Sequence, residues 1–499
     1  MNNIETINSD VIIVGAGNAA FSAAVAARES GLSVLMLEKT PEKFMGGNSA
    51  LTIHMRFVYH SFDDLLPLIK FPDKDQDLDT FKIKINELKN IVSSYTESNY
   101  LNDINKVTEN RSDKVLSQEL VYNSLSTIRW MNKLGHFWKP TFENPTSANV
   151  VSFDGKGYGL INRWKNIAIQ KGVKIIYECP VIDLINKNNQ ISGVVVNYKS
   201  QNIKLFSKNV IMACGSFESN SDMRAKYLGE NWRNIKLRGV PHNTGEGLEM
   251  AINNGAIPYD DWSTCHASPQ DYNRPDFDLP GENKSGDYWS RYAYPFSVLI
   301  NQKGDRFIDE GETWRGLTYA KTGKAILEQK NQIAYQLFDS KHRKAGVLEN
   351  YKNPTFYTAN SLNDLAKEIK IMDINKFLIN IENFNQNISS DKYNPSLLDG
   401  KSISNIIPKR SNWALPLDKG PFEAYPVIAG MTFCYGGLKT SIDGEVLDKN
   451  GDIIKGFFAV GEMLGGLWYK NYPSGGGMMA GAVFGKKAGE KAAINSSKI

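Results

Sequence analysis

The apolar positions of this chain form two kinds of pattern. Short continuous apolar runs predict buried strands, whereas alanine-rich stretches and stretches with apolar residues three or four positions apart predict helices. We predict strands at residues 11–14, 34–37, 173–177, 190–197, 209–215 and 456–462, and helical stretches at residues 19–30, 361–380 and 478–493. Strands that alternate with helices are typical of α/β proteins with a parallel sheet.

The first predicted strand leads directly into a glycine turn. Gly15 permits the tight turn, Gly17 lets backbone N–H groups approach a pyrophosphate, and Ala20 allows close packing of helix against strand. The helix that follows directs its positive N-terminus towards the phosphates. Glu38 ends the next strand, where a carboxylate can accept both hydroxyls of an adenosine ribose. The pattern predicts a dinucleotide-binding βαβ unit.

A second glycine turn lies near the C-terminus. The strand at residues 456–462 ends in Gly461 and Glu462, and the turn at residues 474–477 opens a helix of small residues. An extended cofactor needs one helix N-terminus for its pyrophosphate, and a second turn with an acid for its ribityl and phosphate groups. The pairing predicts FAD rather than NAD, with the second helix N-terminus stabilising the anionic reduced flavin. The alternative is a helix start without a ligand.

The chain divides into three segments by composition. Residues 1–258 are predicted to form the first part of a Rossmann-like FAD-binding domain, and residues 433–499 its C-terminal part. Residues 259–432 carry aromatic-rich loops and few glycine motifs, and we predict an inserted α+β cap domain for substrate binding and catalysis. Residues 73–110 are predicted surface helices, and the strands between 173 and 215 are expected at the edge of the Rossmann domain.

Charge and cysteine content exclude several classes of function. The net charge is +4, from 58 basic and 54 acidic residues that are scattered, so nucleic acid is not an expected partner. No run reaches the ~18 apolar residues of a membrane span, and no leader pattern precedes the first strand, so we expect a cytoplasmic protein. The cysteines are widely spaced, so we expect free thiols and no iron–sulfur cluster, c-type haem or other metal site: Cys179, Cys214, Cys265 and Cys434.

Further runs of sequence are informative in combination: GGNSA at residues 46–50, HNTGEG at 242–247, NQKGDRFIDE at 301–310 and AVGE at 459–462. Together they resemble the fumarate reductase/succinate dehydrogenase flavoprotein superfamily, and the resemblance covers almost the whole chain. Three runs are most similar to the FAD-dependent tricarballylate dehydrogenase branch: DEGETWR at 309–315, YAK at 319–321 and NYPSGG at 471–476. The resemblance implies an enzyme that oxidises a CH–CH bond beside carboxylates to a C=C bond.

The resemblance also implies a set of residues in contact with FAD, drawn from both glycine turns and from the segments between them. These are Gly15, Gly17, Asn18, Ala19, Ala20, Glu38, Lys39, Gly47, Asn48, Ser49, Val181, Ala213, Gly215, Glu246, Gly461, Glu462, Gly477 and Met478. Succinate dehydrogenase flavoproteins carry a flavin-linking histidine just before the paired glycines, whereas Phe44 and Met45 precede Gly46 here. The resemblance therefore implies non-covalent FAD.

For catalysis, the resemblance implies an arginine in the inserted segment that shuttles a proton while flavin N5 exchanges hydride with a substrate carbon. Arg315 is the best match, and the candidate relay acids are Asp309, Glu310 and Glu312. A guanidinium, whose pKa lies far above neutral, needs desolvation and an acidic relay for this role. The alternative role of Arg315 is an ordinary interdomain ion pair.

The same resemblance aligns His266 with a histidine that binds a substrate carboxylate, and places Arg291 near the relay arginine of fumarate reductases. The Thr-Glu pair expected before Arg291 is missing, which leaves its role open. Tyr472 replaces the arginine that clamps a carboxylate, and Thr432 begins the pair that replaces two histidines. A tyrosine hydroxyl cannot neutralise a carboxylate, so plain fumarate or succinate is not the expected substrate. Arg56 and Arg291 are the expected carboxylate-binding residues.

Three hypotheses follow. The first is an FAD enzyme that dehydrogenates a tricarballylate-like polycarboxylate and passes electrons to an external acceptor, which the resemblance implies to be a membrane-associated carrier delivering to quinone. The second is a 3-ketosteroid-type Δ1-dehydrogenase, or an enoate or fumarate reductase, and the steroid reading rests on Trp262, Tyr288, Trp289, Tyr292 and Tyr294. The third is a flavin-binding module or electron-transfer subunit without catalysis, which the missing Thr-Glu pair favours.

Overall fold

The computed structural model describes residues 9–70, 78–140 and 150–497. The strands are β1 (Val11–Val14), β2 (Val34–Leu37), β3 (His54–Arg56), β4 (Trp138–Pro140), β5 (Val150–Phe153), β6 (Lys174–Ile176), β7 (Val181–Asn186), β8 (Ile191–Tyr198), β9 (Gln201–Phe206), β10 (Asn209–Met212), β11 (Lys236–Leu237), β12 (Pro258–Tyr259), β13 (Cys265–Asp271), β14 (Val298–Asn301), β15 (Ile333–Phe338), β16 (Tyr357–Ala359), β17 (Phe422–Cys434), β18 (Gly437–Leu438), β19 (Glu445–Leu447) and β20 (Ile453–Ala459). The helices are α1 (Asn18–Glu29), α2 (Phe62–Leu65), α3 (Leu78–Ile91), α4 (Glu97–Val107), α5 (Lys114–Lys133), α6 (Lys156–Gln170), α7 (Ser221–Leu228), α8 (Glu246–Asn253), α9 (Tyr319–Leu327), α10 (Ser340–Lys344), α11 (Leu362–Glu368), α12 (Ile374–Gln386) and α13 (Gly476–Ser496).

A six-stranded sheet with the order β19-β20-β10-β1-β2-β6 carries the predicted βαβ unit and confirms the α/β class. Strands β20, β10, β1, β2 and β6 are parallel, and β19 is antiparallel to β20. Every residue of β1, β2 and β10 is buried, which explains their apolar runs. Strand β10 lies inside this sheet, between β1 and β20, whereas β7, β8 and β9 form a separate sheet.

Helices α1 and α13 pack side by side through small residues. A Cβ atom at Gly485 would lie 2.4 Å from the backbone oxygen of Ala19, and one at Gly489 would lie 2.4 Å from that of Ala23. Glycine at these positions lets the two helix backbones touch. The contact explains why the predicted C-terminal helix is rich in small residues.

A second large sheet has the order β11-β17-β15-β14, and β13 and β16 also pair with β17. Most of its strands come from residues 259–432, but β11 precedes that segment and β17 ends beyond it, at Cys434. The two predicted domains therefore share this sheet, and the boundaries at residues 258 and 432 stay a prediction.

The amphipathic stretch at residues 361–380 divides into two helices. Lys370 follows α11 and has a φ angle of 55°, which is incompatible with a continuing right-handed helix. Asp373 then caps α12, because its side chain accepts a hydrogen bond from the N–H of Lys376 at 2.9 Å. Apolar periodicity continues across this cap, so the pattern alone does not show the break.

The predicted surface helices of residues 73–110 correspond to α3 and α4, while residues 73–77 lie outside the described residues. Helix α4 also packs inward, since Tyr100 and Ile104 are fully buried. Within the described ranges, no helix combines the length and the apolar character needed to cross a bilayer. The four cysteines are free, and Cys214 is the partly exposed one.

Candidate cofactor and active site

A cavity of about 420 Å³ lies along the C-terminal ends of the parallel strands β1, β2, β10 and β20. Ligands of open α/β sheets bind at this edge. Ala20 is fully buried and keeps only its packing role. The other residues predicted to contact the cofactor line the cavity: Gly15, Gly17, Asn18, Ala19, Glu38, Lys39, Gly47, Asn48, Ser49, Val181, Ala213, Gly215, Glu246, Gly461, Glu462, Gly477 and Met478.

The first glycine turn fits a phosphate-bearing cofactor. Gly15 has a φ angle of 108°, and a Cβ atom there would lie 2.6 Å from the backbone oxygen of Ala213. Gly17 caps α1 without a side-chain hydrogen bond, and no acidic residue occupies the first turn. The N–H of Asn18 donates to Ser49 Oγ at 3.2 Å. The remaining N–H groups of the turn and the helix dipole favour an anion at this position.

Helix α13 presents its N-terminus to the same cavity. Gly475 caps it without a side-chain hydrogen bond, and its first turn also lacks an acidic residue. A Cβ atom at Gly477 would have no neighbour closer than 3.7 Å, so the cavity reaches the backbone there. Asn18 Nδ2 donates to the backbone oxygen of Met478 at 2.9 Å and holds the two helix ends together. Two uncapped helix N-termini along one cavity match an extended dinucleotide whose reduced ring is anionic.

The acid predicted to bind ribose is 8% exposed at the end of β2. Glu38 Oε1 accepts a hydrogen bond from the N–H of Thr40 at 2.8 Å, and burial raises the pKa of this carboxyl. Lys39 and Glu246 are more exposed and form an ion pair with a distance of 3.4 Å between Nζ and Oε2. Lys39 Nζ also donates to Thr244 Oγ1 at 2.8 Å. These contacts fix the loop after β2 against the start of α8.

A second group of lining residues, which we call the arginine cluster, consists of Arg238, Arg315, Asp287, His54 and Tyr292. Nε and Nη2 of Arg238 donate to Asp287 Oδ1 at 2.9 and 2.5 Å. Arg315 Cζ lies 4.7 Å from the centre of the Tyr292 ring. The Tyr292 hydroxyl donates to Asp287 Oδ1 at 3.3 Å, which links both arginines to one carboxylate. Aromatic side chains complete this part of the wall: Tyr319, Phe433, Tyr435, Trp468 and Tyr472.

Cations outnumber carboxylates among the lining residues of the arginine cluster. Burial acts to raise the pKa of Asp287, but the Arg238 guanidinium outweighs it and the pKa falls to about 2. Burial and the neighbouring Arg315 lower the pKa of His54 to about 4, so its imidazole is neutral at neutral pH. The cluster therefore presents two guanidiniums, one carboxylate and one neutral imidazole.

Among the predicted catalytic and substrate-binding residues, Arg315, Thr432 and Tyr472 line the cavity. His266 lies behind the wall and is fully buried, with its ring centre 4.8 Å from that of Tyr319 and 5.2 Å from that of Tyr472. Burial holds the pKa of His266 well below its usual range. The imidazole is therefore neutral and packs against the aromatic wall instead of facing the cavity.

Arg56 and Arg291 do not face the cavity, contrary to the expected role in binding carboxylates. Arg56 is 1% exposed, and it donates to Tyr95 Oη at 2.8 Å, to Asp103 Oδ2 at 3.0 Å and to the backbone oxygen of Ser474 at 2.8 Å. Arg291 is fully buried, and its Nε and Nη2 donate to Asp271 Oδ2 at 2.9 and 2.7 Å. Both guanidiniums hold the protein wall together, and the Ser474 contact fixes the turn before α13.

The acids near Arg315 in sequence also have other partners. Glu310 is fully buried in ion pairs with Arg306 at 2.6 Å and Arg410 at 3.4 Å. Asp309 Oδ2 accepts from Ser411 Oγ at 2.6 Å. Glu312 forms a half-exposed ion pair with Lys321 at 2.6 Å. The acid that lines the cavity with Arg315 is Asp287 instead.

Sequence reasoning missed three members of the arginine cluster. Arg238 follows a two-residue strand, and only the pairing of β11 with β17 brings it beside Thr432. His54 and Asp287 come from β3 and from a short 3₁₀ turn. None of the three lies in a motif, so no local signal marks them. The one available clue is the residue type, since each of the three is an ionisable side chain in an otherwise apolar surrounding.

Two family profiles match this chain. Residues 143–478 match the FAD binding domain, and residues 10–63 match FAD dependent oxidoreductase. The chain is 25% identical to NADH:fumarate oxidoreductase of Klebsiella pneumoniae (strain 342), over 97% of this chain and 47% of that protein. It is 26% identical to probable fumarate reductase Ifc3 of Shewanella frigidimarina (strain NCIMB 400), over 97% and 75%. The chain thus spans about half the length of the first relative and three quarters of the second.

Two solved structures share the fold. The open conformation of a flavocytochrome c3 fumarate reductase has a TM-score of 0.69 at 22% identity, covering 99% of this chain and 79% of that one. The 3-ketosteroid-Δ4-(5α)-dehydrogenase from Rhodococcus jostii RHA1 has a TM-score of 0.73 at 19% identity, covering 99% and 98%. With the match over residues 143–478, the chain belongs to the FAD-binding family of the fumarate reductase/succinate dehydrogenase flavoprotein superfamily and is an FAD-dependent oxidoreductase.

Proposed function

We propose that this protein transfers hydride between FAD and a CH–CH or C=C bond next to a carboxylate of a small acid. A tricarballylate-like polycarboxylate is the first candidate substrate. The observation that carries the proposal is the arginine cluster, in which Arg238 and Arg315 line the same cavity as the cofactor-binding residues. FAD, when bound, supplies the hydride acceptor or donor.

Arg238 is the proposed carboxylate-binding residue. Asp287 orients its guanidinium through two donors, while Nη1 lies 3.3 Å from Thr432 Oγ1 at the cavity wall. A guanidinium held in this way is pre-organised for a carboxylate, and forming the complex costs little side-chain entropy. Arg238 thereby takes over the clamp role that Tyr472 cannot perform.

Arg315 is the proposed proton donor and acceptor at the substrate carbon. Its stacking on Tyr292 places it within reach of Asp287, whose pKa of about 2 keeps the carboxylate ionised. The ionised Asp287 stabilises the charged guanidinium, and the proton reaches or leaves Arg315 through Tyr292 or substrate-side water, because a carboxyl with so low a pKa holds a proton only transiently. Asp287 replaces Asp309, Glu310 and Glu312 as the proposed relay acid.

The aromatic wall favours a second candidate, a ring-bearing acid or a 3-ketosteroid. Tyr319, Phe433, Tyr435, Trp468 and Tyr472 line the cavity beside the arginine cluster. One relative is named urocanate reductase and another 3-oxosteroid 1-dehydrogenase. The substrates in both names, urocanate and a 3-oxosteroid, carry rings. A polycarboxylate would leave much of this apolar surface without a partner.

The remaining predictions concern attachment and electron transfer. Phe44 lines the cavity just before the paired glycines, where covalent relatives carry a histidine, so we expect FAD to be non-covalent. All flavin should be released on acid precipitation, and flavin retained by the precipitate would refute this. An external electron acceptor, such as a membrane-associated carrier delivering to quinone, and a cytoplasmic location stay predictions.

An anaerobic titration of the FAD-loaded protein tests the proposal. Tricarballylate, succinate, an aromatic enoate and a 3-ketosteroid are added in turn to oxidised and to chemically reduced protein, and the visible flavin absorbance is followed. Bleaching by tricarballylate alone supports the polycarboxylate assignment. Turnover of the steroid with no response to any acid decides for the steroid alternative. Bound FAD that responds to none of them in either direction would leave a flavin-binding module.

A further inference from the structure

Two carboxyl groups face each other in the cofactor wall, away from the arginine cluster. Glu462 follows β20 and lines the cavity, whereas Glu218 follows β10 and is fully buried. One carboxyl oxygen of each glutamate and the sulfur of Cys434 lie within 4.8 Å of one another. We call Glu218 and Glu462 the carboxyl pair. It has no part in the proposed substrate chemistry, and the sequence motif explains only the presence of Glu462.

The hydrogen bonds around the carboxyl pair are asymmetric. Glu218 Oε1 accepts from Asn48 Nδ2 at 2.7 Å and also from Asn243 Nδ2. Glu462 Oε1 accepts from the N–H of Cys434 at 2.9 Å. Glu218 Oε2 is buried and has no fixed donor among the described residues. A proton on Glu462 would supply that donor, because a carboxyl can donate only when it is protonated.

Neither carboxyl of the pair takes part in an ion pair within the described residues. The Arg224 guanidinium donates to the backbone oxygen of Glu218 at 2.6 Å and forms no ion pair with its carboxyl. The thiols of Cys434 and Cys265 face the pair, and burial holds the pKa of both well above the usual range, so they are neutral. Asn48 and Asn243 carry no charge. Two carboxylates in such surroundings cannot both ionise.

We propose that the carboxyl pair holds one proton at neutral pH, carried by Glu462 and donated to Glu218 Oε2. Glu218 is then a positioning residue that keeps Glu462 neutral at the cofactor cavity. The two amide donors on Glu218 stabilise its anionic form, which assigns the charge to the buried member and the proton to the member facing the cavity. The pKa shifts agree, since burial raises the pKa of Glu218 to about 7 and that of Glu462 well above its usual range.

This arrangement matters for a cofactor that gains negative charge when it is reduced. A neutral Glu462 removes one anion from the cavity wall, so reduction of bound FAD is easier. In Glu218→Gln the amide can donate to Glu462, which then ionises and moves the negative charge to the cavity. In Glu462→Gln the charge stays on Glu218, behind the wall. The inference depends on FAD binding and not on the identity of the substrate.

Infrared difference spectroscopy of the FAD-loaded protein in H₂O and D₂O tests the shared proton. We expect wild type at neutral pH to show a protonated carboxyl band that shifts in D₂O, and both Glu218→Gln and Glu462→Gln to lose it. Glu109→Gln, an exposed carboxylate paired with Lys470 at 3.0 Å, is the control and keeps the band. A wild type without such a band at neutral pH overturns the proposal, even if neither variant folds.

The midpoint potential of bound FAD is the second readout. We expect a lower potential in Glu218→Gln than in wild type, and a smaller or opposite change in Glu462→Gln. A structural role alone would lower the FAD content of both variants and leave the potential of the bound fraction unchanged. Equal potentials in all three proteins would overturn the positioning role. Failure of the substrate titration would leave both readouts intact, so the two proposals fail separately.

Discussion

The arginine cluster and Glu462 of the carboxyl pair line one cavity, and the two groups have opposite charge compositions. Glu218 and Glu462 place two acids together without an ion pair to a cation in the described residues, whereas Arg238 and Arg315 share one carboxylate. Buried charge has to be balanced, and the charged groups differ between the two places. We propose that a shared proton balances the carboxyl pair and that a substrate carboxylate binds at the arginine cluster. The charge composition of each part of the wall is the observation behind its proposal.

Replacing Arg315 is expected to have the largest effect on the chemistry of the arginine cluster. We expect Arg315→Ala to slow reduction of bound FAD by substrate about 10²- to 10⁴-fold, the usual contribution of a positioned acid–base group. Stopped-flow absorbance under anaerobic conditions measures the rate. Arg233→Ala removes a partly exposed arginine that pairs with Glu230, and it is the matched control. Equal rates in both variants would leave Arg315 as an ion-pairing residue.

Arg56→Ala separates wall-forming arginines from cavity arginines. Arg56 is buried with Asp103 and the backbone of Ser474, so its removal leaves a carboxylate without its ion-pair partner. We expect the free energy of unfolding to fall by about 3–5 kcal/mol, as for other broken buried pairs. Denaturant unfolding measures this. A folded, stable variant with lost substrate affinity would restore the original carboxylate-binding assignment.

Arg238→Gln tests whether the arginine cluster binds the carboxylate of the substrate. Loss of a charge-assisted hydrogen bond costs about 1.5–3 kcal/mol, so we expect KM for the acid to rise about 10- to 150-fold, with a smaller change in kcat. Steady-state kinetics with an artificial electron acceptor measure the split. The matched control is Arg343→Gln, whose guanidinium pairs with Glu423 at 2.7 Å outside the cavity. A fall in kcat with constant KM would contradict the binding role.

The carboxyl pair should give stability an unusual pH dependence. Burial raises the pKa of both carboxyls of the pair in the folded protein, so from about pH 4.3 to neutral pH the folded state binds more protons than the unfolded state. The free energy of unfolding should therefore fall with rising pH across this window, by about 1–3 kcal/mol. Glu218→Gln should flatten that fall in denaturant titrations at several pH values. An identical slope in both proteins would show that Glu218 titrates normally.

Apart from Ala20, the residues predicted to bind the cofactor line the cavity, and their contacts with FAD stay a prediction. The constraints there are local, since a φ angle of 108° at Gly15 and an uncapped helix start at Gly17 require particular residues at particular spacings. The small-residue composition of α13 was visible in the sequence, but its cause, the contact of its glycines with the backbone of α1, is long-range and appears only in the structure. The requirements at Gly15 and Gly17 restrict the residue types at given positions, so they are visible in the sequence.

The arginine cluster was predictable only in part. Arg315 was identified through its motif, but Arg56 and Arg291 were expected in the cavity and lie in its wall, while Arg238 was missed. The side chains of all four arginines are buried or lie beside aromatic rings. Sequence spacing does not distinguish a guanidinium that faces a cavity from one that pairs with Asp103 or Asp271.

The residues alone were enough to predict the α/β class and the FAD-binding strand–turn–helix units, because both depend on short apolar runs and fixed backbone geometry. The family was predicted from the resemblance of several sequence runs. Which charged side chains lie next to one another depends on the tertiary structure. The carboxyl pair joins loops after β10 and β20, and the arginine cluster joins residues from β3 to the turn before α9. Electrostatic balance is a property of distances in space, and pairing across more than 200 residues leaves no periodic pattern in the chain.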